Sequence, residues 1–62
     1  MDFKAEKIVI KTTGIEKVTL VDVEVIVNPK RIIVVQEYLN KQTTFNKDAI
    51  IYMEVTGKRY VS

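Results

Sequence analysis

The chain has 62 residues and a formal net charge of +2, which allows one small domain, residues 1–62, that hides only about 60% of its unfolded surface. With no Cys and no His, a disulfide framework and a thiolate or imidazole metal site are excluded. The mild positive charge permits an anionic partner without requiring one.

Ten Val and eight Ile stand against two Leu. Such β-branched residues lose rotamer freedom in helices and pack well on a pleated sheet, so composition favours β structure. No segment approaches the ~20 apolar residues of a membrane-spanning helix. The mixed-charge start, Met1 to Lys7, is unlike a secretory signal. With the absence of Cys, this predicts a cytoplasmic protein that does not enter a membrane.

The first element is "KIVIK" (7–11), with Lys7, Val9 and Lys11 on one face and Ile8 and Ile10 on the other. Thr12-Thr13-Gly14 then supplies a turn, Gly14 being free to take positive φ. The next run, "KVTLVDVEVIV" (17–27), exceeds an average strand of ~5–6 residues, and its phase changes within it. Val18 and Leu20 share one parity; Val21, Val23, Val25 and Val27 share the other. A bulge or sharp bend near Leu20–Asp22 reconciles the halves.

Asn28-Pro29-Lys30-Arg31 divides this run from "IIVVQEY". A helix starting here has an N-cap in Asn28 and a first-turn proline in Pro29. Ile32, Val34, Val35, Tyr38 and Leu39 then share one arc. Lys30 and Arg31 oppose the helix dipole in that first turn, and four β-branched residues in succession, Ile32 to Val35, disfavour the helix. The favoured reading is a turn at Asn28-Pro29 and a strand from about Arg31 to Tyr38, buried on both sides at its centre. "NKQTTFNKD" (40–48) reads as a loop or ragged hairpin end. "AIIYMEV" (49–55) reads as a strand, turned by Thr56-Gly57, with "KRYVS" (58–62) returning.

These elements predict an all-β fold: a small antiparallel meander of about five strands, able to curl into an SH3-like or open barrel. The alternative is an α+β fold, ββαββ. Val9, Ile26, Ile33 and either Val34 or Val35 fall opposite the assigned core, which predicts pairing with another chain as a homodimer or higher oligomer.

No catalytic constellation is present. There is no nucleophile elbow, and two glycines 43 residues apart cannot form a phosphate-cradling loop. No cofactor is expected and the chain is not expected to be an enzyme. Lys30, Arg31, Lys58 and Arg59 form two basic pairs beside predicted turns. They are candidates for contact with an anionic partner, or simply solvated turn flanks and guards of strand edges. Tyr38, Tyr52 and Tyr60 are candidate aromatic contacts, or the rim of a small core. Phe3 and Phe45, in polar surroundings, are either interface anchors or lids on the core.

"KVTLVDVEVIVNPKRIIVVQE" followed by "IIYMEVTGKRYV" resembles the short FlbD-type proteins of flagellar operons and similar phage-borne β proteins. The matching residues are Val18, Thr19, Val27, Asn28, Pro29, Ile32, Val35, Ile51, Tyr52, Gly57, Lys58, Tyr60 and Val61, over about two-thirds of the chain. The Asn-Gly turn of that pattern is replaced here by Val21-Asp22-Val23. The resemblance implies a non-enzymatic accessory role and transfers no functional residues. The expected function is a non-catalytic, self-associating protein–protein interaction or accessory module; the alternative is a small basic nucleic-acid-binding β-barrel.

Overall fold

A computed structural model of the chain describes residues 2–60. It contains six strands: β1 (Asp2–Thr12), β2 (Ile15–Val27), β3 (Arg31–Gln36), β4 (Lys41–Asn46), β5 (Ile50–Thr56) and β6 (Arg59–Tyr60). Two 3-10 turns, Glu37–Leu39 and Lys47–Ala49, precede β4 and β5. There is no α-helix among the described residues, so the Asn28-Pro29 segment is a turn.

The sheet is antiparallel, in the order β4-β3-β2-β1-β5, with β6 also on β1. It is open rather than closed into a barrel, and β4 and β5 are its two edges. The first four strands form a meander joined by short turns. Gly14 takes a φ of 74° between β1 and β2. Pro29 and Lys30 form the tip between β2 and β3, where the Asn28 N–H donates to the Arg31 carbonyl at 2.9 Å. Asn40 closes the first 3-10 turn at a φ of 50°, a left-handed conformation that Asn accepts more readily than most residues.

The expected phase break in β2 is present, and β1 shares it. Below the break, Phe3 and Ala5 of β1 are buried opposite Val25 and Val23 of β2. Above it, Ile8 and Ile10 are buried, opposite Leu20 and Val18. The pairing runs from Ala5–Val23 to Lys7–Val21 and skips Glu6 and Asp22, yet its register is the same on either side. Both strands therefore swap their inward parity together, with Asp22 at a φ of 51°. Val21 consequently leaves the core face assigned to it from alternation and is exposed.

The same bend crosses to the C-terminal strand. β5 pairs with β1 from Ile50 opposite Thr12 to Thr56 opposite Lys7. β6 resumes with Arg59 opposite Lys4 and Tyr60 opposite Phe3. Two residues on each side, Ala5-Glu6 and Gly57-Lys58, are passed over without change of register. The expected return hairpin at Thr56-Gly57 is thus corrected. Residues after Gly57 do not fold back on β5; they continue along β1, because Gly57 at a φ of 69° bends the strand without reversing it. Val61 and Ser62 lie outside the described residues.

The concave side holds one core: Phe3, Ala5, Ile8, Ile10, Val23, Val25, Ile32 and Val34, with Leu20, Val27, Phe45, Ile50, Met53 and Val55 packed on it. Each fully buried Val or Ile contributes roughly 1.5–3 kcal/mol. Phe3 and Phe45 are therefore core elements rather than exposed anchors. The segment expected as a loop at 40–48 instead forms β4, its Phe45 opposite Ile32 and its Thr43 opposite Val34. β3 ends at Gln36, two residues short of the expected strand. Its Ile32 and Val34 are buried inward, and Ile33 and Val35 half-buried outward.

Candidate interaction surface

Side chains alternate across a strand, and this decides which of the candidate residues can act together. Lys58 and Arg59 do not. Lys58 turns to the concave side, its Nζ 4.7 Å from the ring centroids of both Phe3 and Tyr60. It caps the open end of the core as a cation held between two aromatic rings. Arg59 turns to the convex side, directly across from Lys4.

Lys30 and Arg31 sit at the exposed tip of the β2–β3 hairpin. The Lys30 carbonyl accepts the Lys47 N–H at 3.0 Å, which fastens the tip to the second 3-10 turn. They border an open hollow that Asp48 and Thr13 also line. An acid thus shares the hollow with the basic pair, and the flank is mixed in charge.

The three tyrosines do not share a face. Tyr38, in the first 3-10 turn, leans across to the bend, where its hydroxyl accepts from Gln36 Nε2 at 3.3 Å and donates to the Val21 carbonyl at 3.2 Å. Gln36 is itself buried, so this bridge satisfies a polar group that would otherwise be costly to enclose. Tyr52 lies on the convex side of β5, opposite Lys11. Tyr60 lies beside Lys58 at the end of the concave side.

Basic residues that sequence adjacency missed gather on the convex side instead. Lys4, Lys7 and Lys11 all project outward from β1, because the bend shifts the outward parity between Lys4 and Lys7. Arg59 lies beside Lys4 and Tyr52 beside Lys11. The Lys7-Val9-Lys11 alternation was the available signal. The face also carries Glu24 opposite Lys4 and Glu54 opposite Val9. A depression of about 260 Å³ at the bend brings Lys4 and Arg59 together with Asp22, Glu24, Glu37 and Tyr38. Beside it runs an apolar strip in which Ile26 faces Ile33 across the strands, with Val35 next along β3. Of the outward apolar residues expected at the outset, Val9, Ile26, Ile33 and Val35 are half-buried there.

The two sheet edges differ sharply. β4 offers Gln42, Thr43, Thr44 and Asn46, with Lys41 at its start and Lys47 just beyond its end. β5 offers Ile50, Ile51, Tyr52 and Met53 before its first charge, Glu54. Ile51 is the extra residue where the pairing with β1 shifts, since Ile50 pairs with Thr12 and Tyr52 with Lys11. It is 59% exposed and Tyr52 42% exposed.

Among the described residues, no three His, Cys, Asp or Glu side chains gather to hold a metal ion, and no helix is long and apolar enough to cross a membrane. No protein-family model, curated protein or solved structure matches the chain.

Proposed function

We propose that this protein is a non-catalytic, self-associating interaction module of the accessory type. One observation carries the reading: the sheet ends in a seven-residue strand, Ile50–Thr56, with no neighbour on its outer side among the described residues and exposed Ile51 and Tyr52 along it. An unpaired edge of this kind presents free backbone donors and acceptors that invite another strand. A domain this small also gains proportionately from adding surface to its core. The resemblance to short flagellar and phage-borne β proteins points the same way, and absence of Cys suits a reducing compartment. Light scattering on the full chain at about 100 μM, well above the Kd of an ordinary specific homodimer, tests it. A mass of two chains or more is expected; a one-chain mass overturns the reading.

A second reading, a nucleic-acid-binding domain, is favoured by the row of Lys4, Lys7 and Lys11 on the convex face with Arg59 and Tyr52 beside it. Phosphate contacts would make affinity for an oligonucleotide fall steeply with salt, and stacking on Tyr52 would be lost in Tyr52→Ala. The interleaved Glu24 and Glu54 weaken that field, so the first reading is preferred.

A further inference from the structure

We infer that the partner strand is β5 of a second copy, laid antiparallel to β5 of the first about a two-fold axis at Tyr52. The inference rests on the self-association proposed above and specifies its seam. A two-fold interface sets one patch against itself, so the seam must be an edge that tolerates its own charges. β4 is not: antiparallel self-pairing would bring Lys41 of one copy beside Asn46 and Lys47 of the other, at both ends. Like charges directly opposite destabilise a strand pair, and lysines at a strand edge discourage pairing.

β5 has no such conflict. About an axis at Tyr52, Tyr52 faces Tyr52, Ile51 faces Met53 and Glu54 faces Ile50 of the other copy, and no like charges meet. The Tyr52 side chains of the two copies then meet at the centre of the seam with Ile51 beside them, and two exposed large apolar side chains of each copy leave water. Backbone hydrogen bonds supply the pairing, while these side chains fix its register, as in other strand-addition complexes. The seam is short, so it belongs with the smaller interfaces and weaker complexes.

The test compares the full-length wild-type chain with Ile51→Lys, Tyr52→Lys and Thr44→Lys by sedimentation and light scattering from about 5 to 200 μM, bracketing micromolar Kd values. All three positions are exposed, and circular dichroism with thermal melting verifies that each variant is folded. The wild type and Thr44→Lys are expected to form two-chain species. Ile51→Lys and Tyr52→Lys are expected to weaken association at least tenfold. Amide exchange over residues 50–56 of the wild type should slow as concentration rises, while that over 41–46 stays unchanged; this reading does not depend on any variant folding. If the wild type is monomeric throughout, the self-association reading falls and the inference with it. If the wild type assembles but the β5 variants assemble equally well, the seam is elsewhere and only the inference falls. A species larger than two chains, or loss of assembly in Thr44→Lys, overturns the two-fold β5 pairing in favour of a seam that uses β4.

Discussion

Glu6 lies over Gly57: a methyl group placed on Gly57 would come within 2.6 Å of Glu6 Cγ and 2.7 Å of its Cδ. The contact sits on the bend that crosses β2, β1 and the β5–β6 segment. Gly57 has two reasons to be glycine, a φ of 69° and a neighbour with no room to spare. Gly14 has only one, since its φ of 74° is accompanied by open space.

Gly57→Ala should therefore destabilise the protein by the left-handed backbone cost, about 1–2 kcal/mol, plus the displacement of Glu6. Gly14→Ala should show the backbone cost alone. Urea unfolding of both variants, repeated with Glu6→Ala as background, separates the two contributions. Glu6→Ala should recover part of the Gly57→Ala loss and none of the Gly14→Ala loss. Equal recovery in both would mean that Glu6 does not constrain Gly57.

Val25→Asp should unfold the chain, while Glu24→Lys should leave it folded. Val25 is fully buried between β1 and β3, facing Phe3 and Val34. An unpaired carboxylate there costs several kcal/mol, on the order of the whole stability of a small domain. Glu24 points to the convex side among Lys4 and Arg59. Thermal melts followed by circular dichroism check both; a cooperative melt for Val25→Asp near the wild-type temperature would contradict the register of β2.

Tyr38→Phe should cost about 1 kcal/mol, the net worth of an ordinary hydrogen bond together with a stranded buried partner. It removes the hydroxyl between Gln36 Nε2 and the Val21 carbonyl. Pairing it with Gln36→Leu should shrink the loss, because the amide left without a partner is then gone. Chemical denaturation of the single and double variants gives the coupling; strictly additive losses would show that the bridge has no energetic role.

Lys58→Ala should weaken the fold by roughly 0.5–1 kcal/mol, in the range of a partly exposed cation–π contact. Lys58→Arg should retain most of the stability, since a guanidinium also stacks on the Phe3 and Tyr60 rings. A loss in Lys58→Arg as large as in Lys58→Ala, measured by urea midpoint, would count against the ring contacts.

Much of the core was legible because alternation is a clear signal where charged residues fix the outward parity. Ile8 and Ile10 stand between lysines, and Val23 and Val25 flank Glu24. The β-branched run from Ile32 to Val35 correctly outweighed the helix signals of Asn28 and Pro29. The parity change in β2 even located the bend, within residues 20–22. Its counterpart in β1 went unread, since Asp2 to Lys7 looks polar unless the phase flip is known, and so Phe3 was left outside the strands. The course after Gly57 was illegible for a different reason. A glycine at positive φ serves both a reversing turn and a bend, and only the distant pairing with Phe3 and Lys4 decides between them. The basic pairs misled because neighbours in a strand point to opposite faces, so Lys58 and Arg59 part company while Lys4, Lys7 and Lys11 come together.

The placement of β1 between β2 and the C-terminal strands also governs the time course of folding. Lys4 and Arg59 are side by side in the structure yet 55 positions apart in the chain. The β1–β2 hairpin can form as soon as it is made, but the other flank of β1 is filled only when residues 50–60 emerge, which a ribosome adding ≈ 5–20 residues each second supplies a few seconds later. During that interval the hairpin carries Ile8 and Ile10 beside an uncovered flank. Such distant pairings make for slow folding, and the half-made chain is the form most exposed to capture by chaperones or by its own kind.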